Sequence, residues 1–171
     1  ACDDSAVINP YLKNELHLSI NISADHIEEP DFCERVKAIM GKISGSMIHP
    51  IIEVTERTIM QTNEESQSKI TELRAAGIQF SIDDFGMGHN SLAMLQEELF
   101  DEIKVDGSLT AQIVQNKRSR EIASKIINLS KNLNYRVVAE FVETKEQLDM
   151  LHEMGCDIYQ GYYYSPPLPL G

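Results

Sequence analysis

Ser81-Ile82-Asp83-Asp84-Phe85-Gly86-Met87-Gly88 is the stretch on which the reading of this chain turns. An alternating apolar run (Ile78, Phe80, Ile82) stops at two adjacent carboxylates, and a glycine loop begins. Asp is a poor strand residue, so two in a row at a strand end need a reason. Turn or cap chemistry is one, because Asp side chains bond nearby backbone in turns. A divalent-metal site is the other: hard cations take carboxylate oxygens, and two ions can share a bridging Asp.

The same event recurs along the chain. Leu16–Ser23 alternates apolar and polar residues and delivers Asn21; Ile48–Glu56 delivers Glu53 and Glu56. Ile78–Asp84 delivers the Asp pair, and Phe100–Asp106 delivers Lys104 and Asp106. Arg136–Glu143 delivers Glu140 and Glu143, and Asp157–Tyr164 delivers Gln160. Between these strand candidates lie helical patterns over Pro30–Gly41, Asn63–Ala76, Ser91–Glu98, Ser108–Leu133 and Lys145–Met154, with apolar residues three and four apart (Ile122, Ile126, Leu129, Leu133). Strands alternating with helices predict parallel βαβ units. Polar groups gathered at C-terminal strand ends are where α/β proteins build active sites.

Composition narrows the function classes. At 171 residues with 42% hydrophobic content the chain has material for one soluble domain. It holds no apolar run of about 18 residues, so no membrane helix is predicted, and it opens with no signal-peptide pattern. A net charge of −12 argues against unaided binding to long nucleic acid, which needs clustered Lys and Arg. A small phosphate ligand held through metal remains compatible. Cys2, Cys33 and Cys156 have neither metal nor disulfide spacing, which fits a reducing cytoplasm, and the five His form no zinc pattern. Asp84-Phe85-Gly86 also reads as a kinase motif, but no Gly-rich loop, strand lysine or catalytic loop precedes it.

The ordered set Asn21–Ser23 (NIS), Glu53–Glu56 (EVTE), Asp83–Leu92 (DDFGMGHNSL), Ile103–Asp106 (IKVD), Val137–Thr144 (VVAEFVET) and Gln160–Pro169 (QGYYYSPPLP) resembles the EAL domain family. The resemblance covers residues 16–169. It implies an α/β fold, a modified TIM-type (β/α)8 barrel, with about six of the eight strands in this chain. It also implies a bacterial phosphodiesterase that opens cyclic di-GMP to the linear dinucleotide pGpG with a pair of Mg²⁺ or Mn²⁺ ions. Carried over by position, Asn21, Glu53, Asp83 and Asp84 are implied metal ligands. Glu140 holds or deprotonates the attacking water and reaches a metal, Lys104 favours hydroxide, and Gln160 orients water or phosphate. Glu56 anchors the loop Phe85–Ser91, which in this family reaches a homodimer interface. Asp106 and Glu143 support the substrate or brace the next element. A diguanylate cyclase (GGDEF) or sensor neighbour is expected in the parent protein, as is a cytoplasmic location for the domain whether or not the parent is membrane-anchored.

Each position has a plainer reading. Asn21 suits a turn, Glu53 an exposed strand face, Lys104 a rim position, and Asp106 and Glu143 caps. Glu53 stands among Ile51, Ile52 and Val54, where an unpartnered carboxylate is costly. The chain also departs from the family. No Glu-Ala-Leu occurs, Met87, His89 and Asn90 stand where Thr, Tyr and Ser are commoner, Phe141 replaces a common Gly, and Pro166 replaces a frequent basic residue. The expectation is therefore a partial domain, residues 1–15 being the tail of a first helix and its loop. An inactive cyclic di-GMP receptor or an interaction module are the alternatives, and both predict scattered loss of the site residues. A barrel short of two strands bares sheet edges and apolar interior, so this piece alone is expected to associate. Sizing chromatography and thermal melting check this: a monomer with one sharp transition contradicts it.

Overall fold

A computed structural model describes residues 16–43, 47–61, 63–86 and 95–168. The expected helix tail before Leu16 lies outside these residues, as do Met87, Gly88, His89, Asn90, Ser91 and Leu92 of the glycine loop. The chain forms two compact units, residues 1–81 and 82–171.

In the first unit, β1 (Leu16–Asn21) is followed by α1 (Ala24–Glu28) and α2 (Phe32–Ile43). Next come β2 (Ile48–Thr55), α3 (Glu56–Gln61), α4 (Glu64–Ala75) and the start of β3 (Gln79–Phe85). β1 and β2 are parallel, in register from Leu16 opposite Ile48 to Asn21 opposite Glu53. Parallel neighbours need a helical crossover, which α1 and α2 supply. Burial alternates along β1, whereas Ile51, Ile52, Glu53 and Val54 of β2 are all buried, as in a strand covered on both faces. Ile27, Phe32, Val36, Ile70 and Leu73 form the helical side of this core. The Lys69 ammonium donates to the carbonyls of Ile27 (3.1 Å), Glu28 (3.3 Å) and Glu29 (3.1 Å). It thereby satisfies acceptors that the end of α1 leaves open.

The second unit continues β3 and adds β4 (Glu102–Val105), α5 (Gly107–Gln112), α6 (Lys117–Asn132), β5 (Arg136–Ala139), α7 (Lys145–Glu153) and β6 (Ile158–Tyr159). β4 and β5 are parallel, as are β5 and β6. Ile103, Val105, Val137, Ala139, Ile127 and Leu151 are fully buried at its centre. The helices start where side chains accept orphan N–H groups. Asp106 accepts from Ser108 N, Asn116 from Arg118 N and Ser119 N, and Thr144 from Gln147 N.

The alternation of strands and helices agrees with the sequence reading, and the differences have local causes. The single helix expected over Ser108–Leu133 is two, because Asn116 caps a new start and Arg120 donates to the Ile113 (2.9 Å) and Val114 (2.7 Å) carbonyls in the break. The strand expected over Asp157–Tyr164 stops at Tyr159, since Gly161 lies so close to the Val142 backbone that a Cβ would overlap it. Of the helix expected over Ser91–Glu98, the described part contains a 3₁₀ turn at Leu95–Glu97. α1 and α3 were not expected; α3 starts where Thr55 Oγ1 accepts from Thr58 N (3.2 Å).

Burial pushes the Cys156 thiol up from its ordinary 9.0 to about 11. The neutral thiol is thus the form that folding favours. Below pH 9 neither state ionises and stability is intact; between pH 9 and 11 only the unfolded chain ionises, and about 3 kcal/mol is lost. Denaturant melts of wild type and Cys156→Ala across pH 8–11 are expected to show this extra loss in wild type alone. Parallel pH profiles contradict it.

Candidate metal centre and active site

β3 brings Asp83 and Asp84 to its C-terminal end, where a regular strand would send consecutive side chains to opposite faces. Asp84 breaks the alternation. Its φ of +56° is left-handed, a conformation that Asp tolerates better than most residues, and Gly86 follows at +106°. The Asp84 N–H donates to Asp83 Oδ1 (3.0 Å), which fixes the first carboxylate against the turn. A Cβ on Gly86 would meet only the tip of the flexible Ile126 side chain, so what the turn asks of glycine is the left-handed φ.

β4 and β5 supply the other half. Lys104 stands opposite Val138 in the parallel register, and Glu140 follows two residues on, so all three share one face. The Lys104 ammonium lies 2.7 Å from Glu140 Oε1 and 3.6 Å from Asp83 Oδ1. Its side chain is only 5% exposed, against 13% for Glu140 and 18% for Asp83. The rim position considered for Lys104 is therefore replaced by a buried cation between two acids.

Asp83, Asp84 and Glu140 each offer a carboxylate oxygen, all within 4.8 Å of one another. Partial burial, then repulsion from Asp83 and Asp106 and a hydrogen bond with Asp106, hold the Asp84 carboxyl above its ordinary range, while Lys104 pulls the other way. A cluster of hard oxygens whose charges oppose one another fits a divalent cation, because the ion supplies the positive charge that Lys104 alone does not. Asp83, Asp84 and Glu140 are the residues that would hold it.

The remaining positions are placed as follows. Asp106 caps α5, bonding both the N–H and the hydroxyl of Ser108. Gln160 is exposed after β6, with its backbone N–H on the Ala139 carbonyl (2.8 Å) and its carbonyl accepting from Val142 N (3.1 Å). Glu143 is exposed, and its N–H donates to Gln147 Oε1 (2.8 Å) ahead of α7. Asn21 and Glu53 belong to the first unit and stand side by side on β1 and β2; Glu53 is 3% exposed, so the exposed strand face considered for it is not its setting. Glu56 opens α3 and is buried. The sequence reading assigned no role to Phe141, the residue after Glu140, which has φ +54° and is 61% exposed. The replacement of a glycine beside an acidic site residue was the available signal.

Parallel α/β elements with acidic groups at the C-terminal strand ends define the class, an α/β domain of TIM-barrel type. The chain belongs to the EAL domain family, whose model matches residues 1–167. It is 35% identical over 170 residues to the cyclic di-GMP phosphodiesterase NbdA of Pseudomonas aeruginosa, covering 99% of this chain and 22% of NbdA. Among solved structures it resembles the cyclic di-GMP complex of the PaMucR phosphodiesterase, with TM-score 0.88, 30% identity, and 99% of this chain and 69% of that one covered. It also resembles the manganese and cyclic di-GMP complex of Klebsiella pneumoniae BlrP1, with TM-score 0.80, 30% identity, and 95% and 41% covered. The chain spans about a fifth to a third of the length of the curated relatives it matches.

Removing the Lys104 charge leaves two largely buried carboxylates facing each other. In metal-free buffer at neutral pH, Lys104→Met is expected to lose roughly 2–4 kcal/mol, read by denaturant unfolding. A change within 0.5 kcal/mol, as at ordinary surface sites, contradicts the buried pairing.

Proposed function

We propose that this domain is a divalent-metal-dependent phosphodiesterase that hydrolyses cyclic di-GMP to the linear dinucleotide pGpG. The observation that carries the reading is the convergence of Asp83, Asp84 and Glu140 around the buried Lys104, in a chain of the EAL family. Relatives named as cyclic di-GMP phosphodiesterases, and a related structure holding manganese with cyclic di-GMP, support the substrate and the metal class. Mg²⁺ or Mn²⁺, as a pair, is the proposed cofactor. Asn21 and Glu53 are proposed as its further ligands on family resemblance.

When bound, the metals lower the pKa of water, neutralise the phosphodiester and stabilise the leaving 3′ oxygen. The protein's own groups do the rest. Glu140 holds the attacking water and takes its proton at a carboxylate oxygen. Lys104, within hydrogen-bond distance of Glu140, holds that carboxylate in place and favours hydroxide by its charge. Gln160 is proposed to orient the water or the phosphate. Asp106 fixes the start of α5 beside Asp84, with Glu143 in a similar bracing role before α7. We further propose a homodimer through the loop after Asp84 with Glu56 as its anchor, a cytoplasmic location, and a cyclase or sensor neighbour in the longer protein.

The test is production of pGpG by the full-length protein with Mg²⁺ or Mn²⁺, beside Asp83→Asn. Turnover is expected to fall on the order of 10²–10³ in the variant, the loss typical of removing one electrostatic stabiliser. Mn²⁺ at about 100 times its Kd is expected to stabilise wild type by about 2.7 kcal/mol, and the variant far less. A wild type that makes no pGpG, or a variant that makes it equally well, overturns the reading.

A further inference from the structure

Phe141 is held where a phenylalanine is costly. Its φ of +54° is left-handed, a region that bulky side chains avoid, and the residue is nevertheless 61% exposed. Its neighbours leave it no easy escape. Val142 is fully buried, donates its N–H to the Gln160 carbonyl (3.1 Å) and accepts from Tyr163 N (2.9 Å). The backbone of Val142 also lies so close to Gly161 that a Cβ there would overlap it. The turn is thus pinned from both ends, and the ring is presented rather than buried.

Where the ring goes is also fixed. One part lies against Gly107, so close that a Cβ there would overlap it. Gly107 follows Asp106, whose charge helps hold the Asp84 carboxyl above its ordinary range, and Phe141 itself follows Glu140. Asp84 and Glu140 are two of the three converging carboxylates, so the ring stands at the rim of that cluster. An exposed aromatic on a strained, over-determined backbone beside a reactive site points to use by a ligand, because packing does not require it.

We infer that Phe141 is a binding residue for the substrate, its bare face stacking on one purine base while the scissile phosphate lies at the carboxylates. This rests on the phosphodiester reading above. Nucleobases offer a flat π-face to an aromatic ring, and this contact tolerates sequence but not loss of the ring. The ring acts on binding, before any bond is broken, so it contributes to KM rather than to the chemical step.

The experiment is steady-state kinetics on cyclic di-GMP with the full-length protein as wild type, Phe141→Gly, Phe141→Leu and Phe141→Tyr. Glycine suits the left-handed φ, and leucine and tyrosine keep the side-chain bulk, so the folds are checked by thermal melting in the same samples. KM is expected to rise about tenfold or more in Phe141→Gly and Phe141→Leu with kcat within about threefold, and Phe141→Tyr is expected to restore wild-type KM. Unchanged KM in both Phe141→Gly and Phe141→Leu, or a loss confined to kcat, overturns the stacking role while leaving the phosphodiesterase reading intact. A wild type without turnover overturns both.

Discussion

The buried ammonium of Lys104 is the constraint around which the second unit is arranged. A lysine buried between Ile103 and Val105 in a four-residue strand carries a desolvation cost that only opposite charge can offset. Asp83 supplies that charge from β3, and Glu140 from the residue that follows β5. The parallel register that places Lys104 opposite Val138 is what brings Glu140 onto the same face. A slip of one residue would turn the lysine towards the opposite face of the sheet and leave both acids without it. Register, burial and site geometry are therefore one requirement expressed three ways.

The same pairing leaves a deliberate imbalance. One ammonium faces Asp83 and Glu140, with Asp84 and Asp106 close behind, and the Asp84 carboxyl is held above its ordinary range by partial burial and by these like charges. Repulsion of this kind costs stability when the domain is empty and favours any hard cation that enters. Function and stability pull in opposite directions at these residues, as is usual where perturbed carboxylates cluster.

The βαβ rhythm was legible because parallel strands here carry apolar runs that end in polar groups, as in Ile78–Asp84 and Arg136–Glu143. The acidic end groups were legible for the same reason: carboxylates are out of place in such strands. What escaped were features decided by single contacts. The break in the helix expected over Ser108–Leu133 depends on Asn116 and on Arg120 reaching back to two carbonyls, while the periodicity on either side runs on undisturbed. The shortness of β6 depends on the approach of Gly161 to Val142, a long-range contact that leaves no local pattern. Lys104 could be read as a rim residue because sequence gives its neighbours along the strand and not across it. The left-handed turn at Asp84, which lets adjacent carboxylates converge, and the exposed ring of Phe141 are likewise properties of backbone angle and not of composition.

The central claim is that Asp83, Asp84 and Glu140 hold a divalent cation together. Anomalous diffraction at the manganese edge, on crystals of the full-length protein grown with Mn²⁺, tests it most directly. The account predicts a peak within about 2.0–2.6 Å of an oxygen from each of the three carboxylates, the range hard cations keep to their oxygen ligands. Peaks elsewhere with these three carboxylates bare, or no peak at saturating Mn²⁺, would contradict it.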